Sequence, residues 1–162
     1  MAKITFPGLN DYELMISRLS KGVDDIAGKA IYAGAGIVAD AIKENIKALP
    51  IVRGYGTTDN PLPGGVTAPQ KAGLIDGMGI SPMQDDGGYL NVKIGFDGYN
   101  ATKTDKYPQG QPNQIVARGV ESGTSWKQKT PFIRPAINAT KSRAEAEMAR
   151  LLDQELETIT KG

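Results

Sequence analysis

Two long segments with helical periodicity, one near each end of the chain, most constrain what this sequence can fold into. In the first, from Val23 to Leu49, apolar residues recur every three or four positions, and Pro50 ends the helix. The second runs from Pro135 to about Thr160 and carries a single apolar stripe. The stripe consists of Ile137, Ala144, Met148, Leu151, Leu152, Leu156 and Ile159. Helices of this length must cover their apolar faces against each other or against a sheet.

Between these helices the sequence is rich in glycine and proline and indicates only short regular elements. Residues 50–72 show neither helical nor strand periodicity, so we expect a long loop there. This loop is expected to be mobile in the free monomer and to act as an arm over a neighbouring subunit in an assembly. Residues 74–80 suggest an irregular strand. After the turn signal at 85–88, apolar and polar residues alternate from Tyr89 to Phe96, which predicts a strand.

Two shorter helices complete the expected set of elements. Asn10 or Asp11 can cap a short helix that ends near Leu19, and Val116 and Val120 lie one helical turn apart, which favours a helix over a strand at 113–120. The predicted fold class is therefore α+β. It is a single domain over the whole chain, in which a small antiparallel sheet is packed by two long helices and a short N-terminal helix, with long irregular loops.

The absence of both histidine and cysteine restricts the chemistry open to this chain. It excludes a Ser-His-Asp triad, a histidine-containing zinc site, thiolate chemistry and disulfides. A net charge of +1 argues against a dedicated nucleic-acid binder. No apolar run is long enough to cross a bilayer, and the first residues do not have the apolar region that a signal peptide is expected to have. We therefore expect a non-enzymatic protein made in the cytoplasm, with no cofactor, no metal and no membrane partner.

Two short patterns resemble binding motifs but have better structural explanations. Gly34-Ala35-Gly36 imitates part of a dinucleotide fingerprint, yet the residues before it are helical in period, where the fingerprint requires a strand. Small residues that allow close helix packing explain the pattern better. Four aspartates on loops, which could in principle bind calcium, do not have the spacing of an EF-hand and are expected to be turn carboxylates. They are Asp85, Asp86, Asp97 and Asp105.

The segment from Ile115 to Ala136, IVARGVESGTSWKQKTPFIRPA, has the composition of a rigid corner that leads into the second long helix. Gly123 can take a positive φ without steric cost, and the hydroxyls of Thr124 and Ser125 can bond to the backbone of a turn. Pro135 suits a first helical position, because its missing N–H would be unpaired there in any case. Phe132 and Ile133 are apolar anchors that would pin the start of this helix to the core.

The same segment resembles a protein family. VESGTS followed by PFIRPAI is similar to the pattern of the small tail-completion (minor tail, lambda protein Z-like) proteins of long-tailed bacteriophages. Residues 8–14, GLNDYEL, fit the helix with which that family tends to begin, and the alanine-rich segment 23–49 fits its long second helix. The family often has a Thr-Gly-x-Leu-Arg-like segment next, where this chain has KAGLID at 71–76 and lacks the arginine.

This resemblance implies a structural protein of the virion neck that completes the tail and joins it to the filled head. A ring of about six identical subunits is implied, because heterologous contacts between copies close into rings. The implied partners are the tail tube or terminator protein and the head-closure or connector proteins, with non-specific passage of DNA through the ring. The implied location is the virion, after assembly in the host cytoplasm.

The interface candidates lie in and around the corner. Trp126 is the first, because tryptophan is enriched at binding hot spots; the alternative for this side chain is half-buried packing on its own loop. The basic side chains either contact an acidic surface of a neighbouring subunit, which we favour, or face phosphate in a DNA passage. Glu121 either accepts backbone N–H bonds from the turn that it begins or pairs with Arg118 or Arg134. The full set is Trp126, Glu121, Thr124, Arg118, Lys127, Lys129, Phe132 and Arg134.

Two alternative functions stay open at this point. The first is a tail terminator or head-closure (stopper) protein of the same neck region. The second, more remote, is a small enzyme that depends on carboxylates or lysine, for which the sequence shows no catalytic constellation.

Overall fold

A computed structural model describes residues 23–161, which form four helices and six short strands. The helices are α1 (Val23–Ala48), α2 (Ala68–Gly77), α3 (Asn113–Ser122) and α4 (Ile133–Lys161). The first and last are the two long helices predicted from periodicity, and α3 confirms the helix expected at 113–120. The short helix predicted near Asn10 to Leu19 lies outside the described residues.

The strands pair antiparallel in three separate two-stranded ribbons. β1 (Met78–Ile80) pairs with β4 (Ile94–Phe96), with Gly79 opposite Gly95. The other ribbons join β2 (Gln84–Asp85) to β3 (Leu90–Asn91) and β5 (Tyr99–Asn100) to β6 (Gln111–Pro112). The α+β class with small antiparallel pairing and long helices is confirmed. Within residues 23–161, no helix is long and apolar enough to cross a membrane.

The two long helices lie antiparallel along most of their length. Near the start of α1, the Lys29 Nζ is 3.8 Å from Oε2 of Glu155, which lies near the end of α4. Near the end of α1, Asn45 Nδ2 donates to the Phe132 carbonyl, just before the start of α4, at 3.0 Å. Between these points, Gly34 faces Met148 so closely that a Cβ at Gly34 would overlap the Met148 sulfur. The close-packing explanation of the Gly-Ala-Gly segment is therefore confirmed at Gly34. Gly36 has open space beside it.

The core lies between these helices, α3 and the β1–β4 ribbon. It is built mainly from aliphatic side chains, with Phe96 and Phe132 packed edge to face at 6.0 Å between ring centroids. Its largest fully buried side chains are Phe132, Ile42, Ile46, Leu74, Leu152, Val38, Val66 and Val120.

Helix α2 corrects two predictions, the loop over 50–72 and the strand over 74–80. Thr67 accepts from the Gln70 N–H at 3.4 Å, and the Gln70 side chain accepts from the Thr67 N–H at 3.1 Å, which together form a capping box. Pro69 lies in the first turn, where a missing N–H costs nothing. The irregular segment therefore ends at Thr67, and only Met78–Ile80 of the predicted strand is extended.

The strand predicted from Tyr89 to Phe96 is divided into β3 and β4. At Lys93 the backbone N–H donates to the Ser81 hydroxyl at 2.9 Å, and the Lys93 carbonyl accepts from the Ser81 N–H at 2.8 Å. The Ser81 hydroxyl therefore replaces the backbone carbonyl that would accept the Lys93 N–H in a regular β-ladder. The turn signal at 85–88 is confirmed, since Asp85 Oδ1 accepts from the Gly88 N–H at 2.6 Å.

Candidate functional site

The candidate site is the corner between α3 and α4, where the sequence placed all of its interface residues. α3 ends at Ser122 and is capped by Gly123, whose N–H donates to the Gly119 carbonyl at 2.8 Å and whose φ is +77°. The positive φ predicted for Gly123 is confirmed. A side chain there would be strained by the backbone conformation, and its Cβ would also lie in tight contact with the Lys129 nitrogen, at 3.0 Å.

The Glu121 carboxylate caps the start of α4. Oε2 accepts from the N–H groups of Phe132 at 2.7 Å and Ile133 at 2.8 Å, and Oε1 accepts from Arg134 at 3.0 Å. The next residue, Pro135, has no N–H. All the N–H groups that a helix leaves unpaired at its start are therefore either bonded or absent. The negative charge also lies at the positive end of the helix dipole.

This arrangement corrects both alternatives for Glu121. Its carboxylate accepts backbone N–H bonds, but from the start of α4 and not from the turn that Glu121 begins. In the described part of the chain it forms no ion pair with Arg118 or Arg134. The last helix was predicted to start at Pro135, but with this carboxylate as its cap α4 starts at Ile133. Once a carboxylate serves these N–H groups, the helix can begin before the proline.

Residues 124–127 form a tight turn with Trp126 at its tip. The Thr124 N–H donates to the Lys127 carbonyl at 2.9 Å, and the Lys127 N–H returns a bond of 3.4 Å. Within residues 23–161 the hydroxyls of Thr124 and Ser125 have no hydrogen bond, so the backbone closes the turn without the side-chain bonds that were predicted. Thr124 is exposed, and 54% of the Trp126 surface is exposed.

The segment 50–67 lies over the outer side of this turn. Leu62 pairs with the corner through two bonds, from its N–H to the Trp126 carbonyl at 2.9 Å and from the Gln128 N–H to its carbonyl at 3.0 Å. Gly56 packs against the same Trp126 carbonyl. The neighbouring Tyr55 is 88% exposed. The arm-like role predicted for this loop in an assembly stays a prediction.

The other predicted interface residues differ in how far their side chains are exposed to solvent. Phe132 is 1% exposed, so it anchors the start of α4 in the core, as its apolar character predicted, and does not offer surface to a partner. Lys127 is half-buried and its Nζ donates to the Gly65 carbonyl at 3.1 Å; burial lowers the pKa of this amine. Arg118, Lys129 and Arg134 are exposed.

A groove of about 570 Å³ lies on the inner side of the corner, between α3 and the start of α4. The sequence did not predict it, because its walls come from separate elements. The signal available was the spacing of Ile133 and Ile137, which places two isoleucines on one face of α4 near its start. The residues used below to define this groove are Phe96, Ile115, Arg118, Ile133, Arg134 and Ile137.

The comparisons with known proteins add no relative. No protein-family model matches the chain, and neither a curated protein nor a solved structure matches it. In residues 23–161 no three acidic side chains come together in a way that could hold a metal ion. The resemblance to tail-completion proteins therefore depends on its motif residues.

Proposed function

We propose that this protein is a structural, non-enzymatic component of the neck of a long-tailed bacteriophage. In this proposal a ring of identical subunits completes the tail and enables its joining to the filled head. The observation that carries the proposal is that the residues of the motif, VESGTS and PFIRPA, form one hydrogen-bonded unit. Glu121 binds one helix of that unit to the next, and Trp126 stands at its exposed tip.

A unit of this kind suits binding to a protein surface. Side chains on a well-ordered backbone lose less conformational freedom on binding than those on a flexible loop. Trp126 and Tyr55 lie on the two segments joined at Leu62, and both aromatic side chains are mostly exposed. Exposed aromatic residues at a fixed position are typical of binding hot spots.

The proposed partners are other copies of this chain, the tail tube or terminator protein, and the head-closure or connector proteins. The exposed basic residues near the corner, Arg118, Lys129 and Arg134, would face acidic protein surface. A ring through which DNA must slide gains nothing from tight phosphate contacts, so we assign these side chains to protein partners. The proposed location is the virion, reached from the host cytoplasm.

The test is complementation of a phage from which the gene has been deleted. Electron microscopy of the lysate should show full heads and separate tails, and the parent gene should restore joined particles. Joined, normal particles without the gene would disprove the proposal. Over-long tails would favour the tail-terminator alternative, and heads that have lost their DNA would favour the head-closure alternative.

Single-residue variants test whether the corner is the surface through which the protein joins heads to tails. Trp126→Ala and Tyr55→Ala should each lower the yield of joined particles while leaving the folded monomer intact. The matched control is Tyr99→Ala, since Tyr99 is 70% exposed but lies on β5, outside the corner. An equal loss of joined particles for the control would remove the corner from the proposal.

A further inference from the structure

The groove beside the corner combines apolar walls with two unpaired cations. Phe96 is buried and lines it together with Ile115, Ile133 and Ile137, while Arg118 and Arg134 are exposed along it. Within residues 23–161, neither guanidinium has an ion-pair or hydrogen-bond partner. We call this surface the basic groove. Its chemistry suits a narrow acidic projection, because arginine can bind a carboxylate with two parallel hydrogen bonds.

The β2–β3 hairpin, residues 84–91, is an acidic projection on the same chain, and we call it the acidic hairpin. Its tip consists of Asp85, Asp86 and two glycines, all exposed. Asp85 uses Oδ1 to accept from Gly88 at 2.6 Å, and Asp86 uses Oδ2 to accept from the Asn91 side chain at 2.9 Å. The other oxygen of each carboxylate accepts no hydrogen bond in the described residues, so both can accept from an arginine.

The two surfaces lie at opposite ends of the long helices. The hairpin follows Met83, which packs against Gly28, and Tyr32 donates to the Ser81 carbonyl at 3.2 Å, so it lies beside the start of α1. The groove lies at the start of α4, which contacts Asn45 near the end of α1. Along α1, Asn45 is about 26 Å from Gly28 and about 20 Å from Tyr32. The contacts at Gly28 and Tyr32 hold the hairpin on the side away from the groove, so we do not expect a chain to fill its own groove with its own hairpin.

The charged residues around each surface leave the two surfaces opposite in sign. The hairpin contains two aspartates and no basic residue, and Lys93 follows it two residues later. Glu121 also lines the basic groove, but its carboxylate accepts from three backbone N–H groups at the start of α4, so the two arginines are the charged groups left for a partner. Such an arrangement favours head-to-tail over head-to-head approach.

We propose that the acidic hairpin of one copy docks in the basic groove of the next copy. Asp85 and Asp86 pair with Arg118 and Arg134, and the glycine tip lies against the isoleucines. The two surfaces differ, so the contact is heterologous, and repetition gives a closed ring or an open filament. This inference rests on the proposed function and names the contact between subunits that the ring requires.

The first test uses two complementary charge reversals. The groove variant is Arg118→Glu with Arg134→Glu, and the hairpin variant is Asp85→Lys with Asp86→Lys. Each alone should associate roughly 10- to 100-fold more weakly than the parent in sedimentation velocity, because like charges then meet. An equimolar mixture should associate as strongly as the parent. In the mixture the acidic groove of one variant can bind the basic hairpin of the other, and the unchanged groove and hairpin can bind each other as in the parent. Recovery would also show that both variants are folded.

Further variants control for damage to the hairpin and for total charge. Asp85→Asn with Asp86→Asn keeps the acceptors for Gly88 and Asn91, and it should weaken association without changing the unfolding transition. Lys103→Glu changes charge at an exposed site outside the groove and should leave association unchanged. Parent-like association of both reversed variants, failure of the mixture to recover, or a parent chain that stays monomeric up to its solubility limit would each overturn the proposal.

The second test uses the absence of native cysteine. Gln84→Cys on the hairpin and Gln114→Cys on the groove wall should form a disulfide between copies when the two single variants are mixed and oxidised. Ala146→Cys, exposed on α4 away from both surfaces, replaces Gln114→Cys in the control and should give little product. Equal yields from both mixtures would count against the docking geometry.

Complementation separates a failure of this inference from a failure of the proposed function. If the groove variant supports normal joined particles while the gene deletion does not, the docking contact is wrong and the neck function stands. If the deletion itself leaves joined particles, the neck function is wrong, whatever the mixing experiment shows about contact between copies.

Discussion

The corner has an inner half, formed by Glu121 and the start of α4, and an outer half, the turn at 124–127, and these two halves have different roles. On the inner half, Glu121 binds three backbone N–H groups, and Pro135 removes the need for a fourth. On the outer half, the turn at 124–127 is closed by its backbone and leaves the Trp126 side chain mostly exposed. The Glu121 carboxylate thus contributes to the stability of the fold, whereas the Trp126 side chain offers apolar surface to a partner.

The difference shows that residues close in sequence need not share a role. Glu121 and Trp126 were both interface candidates, yet only Trp126 has apolar surface available for binding. Gly123 lies between them and links the two halves through a backbone conformation suited to glycine. Four substitutions can sharpen or break this division, and they differ in the size of their expected effect.

Glu121→Ala should cause the largest loss of stability, about 3 kcal/mol in the free energy of unfolding, because three N–H groups at the start of α4 lose their acceptor. Urea denaturation followed by circular dichroism measures this. Glu121→Gln keeps one acceptor oxygen and should lose less. A loss of particle joining by Glu121→Ala at unchanged stability would contradict the structural role of the inner half.

Gly123→Ala should destabilise the protein by about 2 kcal/mol, because a side chain at this positive φ is strained and approaches the Lys129 backbone. The same denaturation experiment measures the effect. Gly36→Ala is the control, since Gly36 lies in a helix with open space beside it and the change should be neutral or stabilising. A neutral Gly123→Ala would mean that the corner tolerates another backbone conformation.

Trp126→Ala should lower the free energy of unfolding by about 1 kcal/mol or less, because 54% of the residue surface is exposed. Binding to the assembly partner should weaken by about 2 kcal/mol, measured by titration calorimetry against purified tails. If stability fell as much as binding, the outer half would be a structural element like the inner one.

Lys127 should give the smallest effect, a change in the pH dependence of stability. Burial lowers the pKa of its amine, so between the lowered value and the ordinary one the folded protein binds fewer protons than the unfolded chain. The stability contributed by this residue should therefore rise as pH increases through that window, towards about pH 10.4. Urea denaturation at several pH values should show that Lys127→Met lacks this rise; an identical rise in the variant would assign it to other groups.

The parts of the fold that could be predicted from the sequence are those set by local periodicity. Both long helices have apolar residues at helical spacing, and α3 has Val116 and Val120 one turn apart. Helix α2 has only a weak apolar pattern, but its Thr67-x-x-Gln70 capping box and Pro69 were a readable start signal that periodicity alone does not detect. The division of the strand at Lys93 depends on the distant Ser81 hydroxyl, which no local pattern indicates.

The candidate site was predictable in place but not in detail. Glycine chemistry indicated the positive φ of Gly123, and the apolar character of Phe132 indicated an anchor. The Lys127 amine has its acceptor, the Gly65 carbonyl, 62 positions away along the chain, and Glu121 has its donors 11 to 13 positions away across the turn, so both roles required three-dimensional contacts. The groove was missed for the same reason, since Phe96 and Ile115 come from elements separated along the chain.

The Glu121 cap also affects the order in which the chain can fold. Its carboxylate and the amides it binds are only 11 to 13 positions apart, whereas Asn45 and Phe132 are 87 apart. Closing a loop of about ten residues takes on the order of 10–100 ns and loses little entropy. We therefore expect α3, the turn and the first residues of α4 to assemble before α1 docks. A newly synthesised chain would then display its contact surface while the hydrophobic interior is still forming, and assembly partners could meet it at that early stage.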